Sequence, residues 1–228
     1  MVHSVLFDMD GTLIDSAPGI LQCLQYTRSA MGEAPLPPKI ALRFIGPPLC
    51  DSFIRFCGYD SEKAQRAAAL FEERYCREGR LACRTVPGME AVLRHLSERN
   101  IKLAIASCKP QKHCLAIAER LGLAPYFAAV CGPGGDLPEE KADVMREALR
   151  RLGETNPAGA LMVGDRKFDA EGAAACGVPC VGVDFCGYAA RGEMEAAGAL
   201  AVVHTPEELE KWILRRDSGQ ASANLIQS

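Results

Sequence analysis

The stretch Ser4-Val5-Leu6-Phe7-Asp8-Met9-Asp10-Gly11-Thr12-Leu13 decides how the rest of the chain is read. Its apolar run is too short for a helix and reads as a buried strand that delivers two carboxylates, at alternate positions, into a glycine turn. Side chains on a strand point alternately to opposite sides, so Asp8 lies at the strand's end while Met9 turns aside, and Gly11 lets the backbone bend sharply after Asp10. Two acids then share one small space. Carboxylates that close repel each other, which predicts either a shared proton or a cation bound between them. The plainer alternative is an edge strand running into a solvated Asp-Gly turn, and this stretch alone leaves it open.

Working outward, Asp15 to Met31 carries Ile20, Leu21, Leu24, Ala30 and Met31 at helical spacing, with Asp15 or Ser16 as cap and Pro18 in the first turn. Pro35, Pro37 and Pro38 break the chain, a short apolar segment follows, and Gly46-Pro47-Pro48 breaks it again. Two more helices are expected over 49–57 and 61–80, and no strand is expected between Ser16 and Arg84. Beyond residue 84 the texture changes. Helices over 87–99, 110–121, 139–152, 169–176 and 206–215 alternate with strands over 101–107, 128–131, 160–165, 180–184 and 201–204, the rhythm of βαβ units around a parallel sheet. The fold class is therefore α/β. It is a Rossmann-like three-layer core from segments 1–15 and 85–228, with an α-helical insertion over 16–84 and a polar, frayed tail over 217–228. If the strands run parallel, Asp8, Ser107 and Asp165 all end strands at the edge where such sheets place their ligands.

Composition narrows the class of partner. The 228 residues are 48% hydrophobic and 24% charged, ordinary for a globular protein with a sizeable core. A net charge of −3 with no basic patch argues against nucleic acid, and no apolar run approaches the length that spans a membrane. The eleven cysteines are scattered, odd in number and set in apolar stretches, so they read as buried thiols rather than a disulfide framework. With Met1-Val2-His3 entering a strand directly, a reducing cytoplasmic setting is expected. The expected partner is a small molecule, bound by a monomer or homodimer.

Four groups of residues carry chemistry: Asp8-x-Asp10-Gly11-Thr12 after the first strand, Ser107 after another, Lys141 opening a helix, and Gly164-Asp165-x-x-x-Asp169 after a later strand. In this order and context they resemble the four motifs of the haloacid dehalogenase-like phosphatase superfamily, and the match spans Asp8 to Asp169. The helical insertion after the first motif is similar to that superfamily's α-helical cap, and the overall texture is most like its phosphoglycolate phosphatase-like branch. The resemblance implies a magnesium-dependent phosphomonoester hydrolase working through an aspartyl-phosphate. A small phosphorylated metabolite is the implied substrate, phosphoglycolate first and a nucleoside 5′-monophosphate next.

Residue by residue, the resemblance implies Asp8 as nucleophile and Asp10 as general acid and then base. Gly11 (through its N–H), Thr12, Ser107 and Lys141 are implied as phosphoryl contacts, and Asp8, Asp10 (through its carbonyl), Asp165 and Asp169 as holders of Mg2+. Lys109 is the rival to Lys141. Asp165 and Asp169 could instead cap the following helix, and Ser107 the one after Pro110. Arg43, Gly46 and Pro47 are expected in a cap loop facing the pocket, His113 with the other histidines at the surface or in packing, and Arg166 and Lys167 in solvent. Two other chemistries remain. Phosphosugar mutases of the superfamily usually carry Glu-Asp where this chain has Gly164-Asp165, and dehalogenases lack the second aspartate that Asp10 provides. A catalytically silent binding module is the non-enzymatic reading, and the intact acids and lysine speak against it.

Overall fold

In the computed structural model, residues 2–134 and 140–217 are described. The expected frayed tail beyond residue 217, and residues 135–139 of the glycine- and proline-rich loop before Lys141, lie outside the described residues. Asp217 itself closes the last helix.

Strand β1 (Ser4–Phe7) is the third of six parallel strands. Its two sides face different layers, as period-two alternation requires. Val5 and Phe7 join one hydrophobic cluster, and Leu6 joins another. The chain then makes a two-residue strand β2 (Ile14–Asp15) and enters helices α1 (Ala17–Ala30), α2 (Pro38–Ala41), α3 (Leu49–Cys57) and α4 (Ser61–Arg77). It leaves them through β3 (Arg84–Thr85), which pairs antiparallel with β2. The segments entering and leaving the helical block are thus tied side by side. This ribbon was not expected, because two-residue strands carry no periodicity and arise only where the two crossings meet.

The core continues as α5 (Met89–Glu98), β4 (Lys102–Ala106), α6 (Gln111–Arg120), β5 (Ala129–Cys131), α7 (Lys141–Leu152), β6 (Ala160–Gly164) and α8 (Lys167–Ala175). It ends with β7 (Cys180–Val183), the short α9 (Glu193–Ala196), β8 (Val202–Val203) and α10 (Pro206–Asp217). Strand order is β5-β4-β1-β6-β7-β8. Helices α5, α6 and α10 supply Leu93, Ile117 and Ile213 to one face of the sheet, and α7 and α8 supply Met145 and Ala173 to the other. The expected three-layer α/β core is present, with the sheet buried on both faces.

Local rules explain the helical block. In α1, Ile20, Cys23, Leu24 and Thr27 fall on one buried stripe, and Pro18 sits in the first turn, where its missing N–H costs nothing. Asp15, not Ser16, supports its start, since the Asp15 carboxylate accepts the Ala17 N–H at 3.3 Å. Helix α4 is capped by Asp60, which accepts the Lys63 N–H at 2.8 Å, and it buries Ala64, Ala67, Phe71 and Tyr75 in a third cluster with α1 and α3. No disulfide links any of the eleven cysteines. Among the described residues no helix is long and apolar enough to cross a membrane.

Candidate active site

Parallel register carries three chain segments to one edge. Phe7 pairs with Ile105 of β4 on one side and Val163 of β6 on the other, so Asp8, Ser107 and Asp165 emerge next to one another. The Asp8 N–H donates to the Val163 carbonyl at 2.9 Å, which continues the sheet by one residue and holds Asp8 at its rim. The chain then turns tightly, with both the Leu13 and Ile14 N–H groups on the Met9 carbonyl.

Gly11 is required for two reasons. Its φ is +77°, and a Cβ there would stand 2.1 Å from Asp165 Oδ2. Its N–H donates to the Ile14 carbonyl at 2.8 Å, so the expectation that this donor faces a phosphoryl oxygen is corrected. The turn consumes it, and the residue's contribution is the space it leaves for Asp165.

Asp8, Asp165 and Asp169 bring one carboxylate oxygen each to within 4.8 Å of one another, all three buried. Lys141, first residue of α7 and buried, reaches them with its Nζ 2.6 Å from Asp8 Oδ1 and 2.6 Å from Asp169 Oδ1. Asp169 Oδ2 also accepts the Arg166 N–H at 3.0 Å, so it caps α8 while its Oδ1 meets Lys141, and the capping reading holds. Both oxygens of Asp165 are buried without a hydrogen-bond partner among the described residues. Burial, with Asp8 and Asp169 beside it, pushes the Asp165 carboxyl well above the ordinary range. Burial alone would push Lys141 down, yet Asp169 and Asp8 outweigh it and hold the ammonium above the usual lysine range.

Asp10 stands apart from this trio. Its Oδ2 lies 3.0 Å from Lys109 Nζ, and its Oδ1 is buried and unpartnered among the described residues. Lys109 is a second site lysine, not a substitute for Lys141, and it donates also to the Tyr75 hydroxyl of α4 at 2.8 Å. The Ser107 hydroxyl accepts the Lys109 N–H at 3.3 Å, and the Thr12 hydroxyl is buried without a partner among the described residues. A narrow cleft over these groups is lined by Asp8, Asp10, Ser107, Lys109, Lys141 and Asp169.

Of the cap-loop residues, Gly46 and Pro47 line a larger cavity beside the cleft, whereas Arg43 lays its guanidinium over the Phe56 ring at 4.5 Å. The expectation that Arg166 faces solvent is corrected, and of the two readings for His113 the packed one holds. Arg166 is held between Glu193, at 2.9 Å, and the Ile45 carbonyl of the helical block. His113 is buried, its Nε2 2.9 Å from Glu72 on α4. Neither had a signal in the sequence, since each is fixed by a partner on another element.

The model of the family described as haloacid dehalogenase-like hydrolase matches residues 5–183. A phosphoglycolate phosphatase of Rhodospirillum rubrum is 34% identical over 224 residues, covering 93% of this chain and 91% of that protein. A 5′-nucleotidase of Pseudomonas aeruginosa is 32% identical over 197 residues, covering 85% and 87%. The crystal structure of a predicted phosphatase from Clostridium acetobutylicum superposes with a TM-score of 0.87 at 33% identity, over 94% of this chain and 100% of that one. The chain belongs to the haloacid dehalogenase-like hydrolases, an enzyme family, and within it to the phosphoglycolate phosphatase-like branch.

Proposed function

We propose that the protein is a magnesium-dependent phosphate monoester hydrolase acting through an aspartyl-phosphate on Asp8. The observation that carries this reading is the buried meeting of Asp8, Asp165 and Asp169 around one lysine, with both oxygens of Asp165 left unpartnered among the described residues. Unpaired buried carboxylate oxygens are costly, and a hard divalent cation suits a donor set made wholly of carboxylates. The residues fit the metal. Asp8 and Asp165 would hold Mg2+, with Asp169 as a further ligand or as a partner of its waters. The bound ion supplies positive charge against the phosphoryl oxygens.

Asp8 attacks phosphorus as the ester P–O bond breaks, and the leaving oxygen takes a proton from Asp10. The unpartnered Asp10 Oδ1 is the oxygen placed for that transfer, since Oδ2 is engaged by Lys109. Asp10 then accepts a proton from water as that water's oxygen attacks phosphorus, breaking the bond to Asp8 and freeing inorganic phosphate. Lys141 and Lys109 offset the dianion from two sides, and the Ser107 and Thr12 hydroxyls orient it.

Phosphoglycolate is the substrate that the branch favours, with nucleoside 5′-monophosphates as the alternative. The two share the phosphoryl half of the site and differ in the leaving group.

Phosphate release from p-nitrophenyl phosphate, with magnesium or with a chelator, tests the reading. Release that needs magnesium and falls by at least about 10⁴-fold in Asp8→Asn, with an unchanged circular dichroism spectrum, is expected. Full activity in Asp8→Asn overturns it, and a phosphosugar converted to its isomer without free phosphate would point to a mutase instead.

A further inference from the structure

The cavity beside the cleft has a volume of about 310 Å³ and shares Asp10, Gly46, Cys108 and Lys109 with it. An alcohol leaving next to Asp10 therefore has its remaining atoms in this cavity. The walls are apolar on four elements: Ile20 of α1, Phe44 of the cap loop, Leu49 of α3, and Ala68 and Phe71 of α4. The charged groups in the lining are mostly acidic or already engaged. Asp51 and Glu72 are acids, Lys109 is bound to Asp10 and Tyr75, and no arginine lines the cavity among the described residues. His113 presses its Nε2 on Glu72, a carboxylate that can only accept.

A compact leaving group bearing a carboxylate suits this space poorly. At a water's share of about 30 Å³ the cavity has the volume of roughly ten waters, most of which a five-atom glycolate would leave against apolar walls. Glu72 is already paired with Lys112 at 2.6 Å, so the glycolate carboxylate would meet Asp51 with no unengaged cation in the lining among the described residues. We infer that the leaving group is an uncharged primary alcohol with an extended body that lays an aromatic face against these walls, such as an aryl-bearing alcohol or a nucleoside. This rests on the hydrolase reading above and narrows its substrate.

The test compares three primary alkyl esters, so that leaving-group reactivity is similar: phosphoglycolate, 2-phenylethyl phosphate and uridine 5′-monophosphate. With magnesium present, kcat/KM for at least one of the bulky esters should exceed that for phosphoglycolate by at least about 30-fold, the scale that a filled apolar pocket gives. Ala68→Phe, which fills the cavity from α4, should shrink that ratio to about threefold or less. Leu49→Trp, from the facing wall, repeats the test if the first variant does not fold. Phosphoglycolate as the best ester, or a ratio unmoved in both folded variants, overturns this inference alone. No release from any ester overturns the hydrolase reading, and this inference with it.

Discussion

Replacing Lys141 by Met removes the only cation that, among the described residues, touches both Asp8 and Asp169, and its cost can be worked from the structure. The ammonium is 2.6 Å from an oxygen of each, and the lysine side chain is 5% exposed. Breaking a buried ion pair from one side costs about 3–5 kcal/mol, because the remaining charges are stranded in a low-dielectric site. For a chain of 228 residues, at about 2–4 °C per kcal/mol, the thermal midpoint should fall by roughly 6–20 °C. The loss should depend on pH in a particular direction. Without the lysine, the folded-state pKa of a stranded carboxylate rises above its unfolded value, so between those values the folded protein binds a proton that the unfolded chain does not. Stability of the variant then falls as pH rises. About 1.36 kcal/mol per unit for one proton makes the loss up to about 2.7 kcal/mol smaller at pH 6 than at pH 8. Thermal unfolding of the metal-free proteins, followed by circular dichroism at both pH values, measures this. A loss under about 1 kcal/mol, or one identical at the two pH values, refutes the reasoning, since a packing defect alone would not titrate.

Two further outcomes follow from the same cluster. Magnesium should raise the thermal midpoint of the wild-type protein at neutral pH, and the rise should fade below about pH 6. Burial, only partly offset by Lys141, pushes Asp169 up to about 6, and protons then compete with the metal; Asp165→Asn should abolish the rise. Melting curves with and without magnesium at pH 5 and 7.5 check both. Gly11→Ala should cut phosphate release by at least about 100-fold, the scale of a 1 Å misplacement, because its Cβ would stand 2.1 Å from Asp165 Oδ2 at a φ of +77°. A variant with wild-type turnover and an unchanged magnesium response would show that Asp165 needs no such clearance.

What the residues in line determined were the local devices. Asp8 and Asp10 could be read because strand alternation and a glycine turn act over a few residues, and Asp165 and Asp169 because one ends a strand and the other caps the next helix in the same turn. The alternation of strands and helices set the layers, since each face of β1 needed its own cover. Tertiary structure decided which charges meet. Lys141 lies 133 positions from Asp8, and no periodicity could say that it would take Asp8 while Lys109 took Asp10. The β2–β3 ribbon, the placing of Arg166 on the Ile45 carbonyl and the burial of His113 against Glu72 each depend on two segments arriving together. The leaving-group cavity has the same origin, because its walls belong to the helical block and the core at once. Hydrogen bonds and ion pairs are short-ranged in space and indifferent to distance along the chain. A sequence therefore specifies the groups on offer, and only the folded arrangement selects their partners.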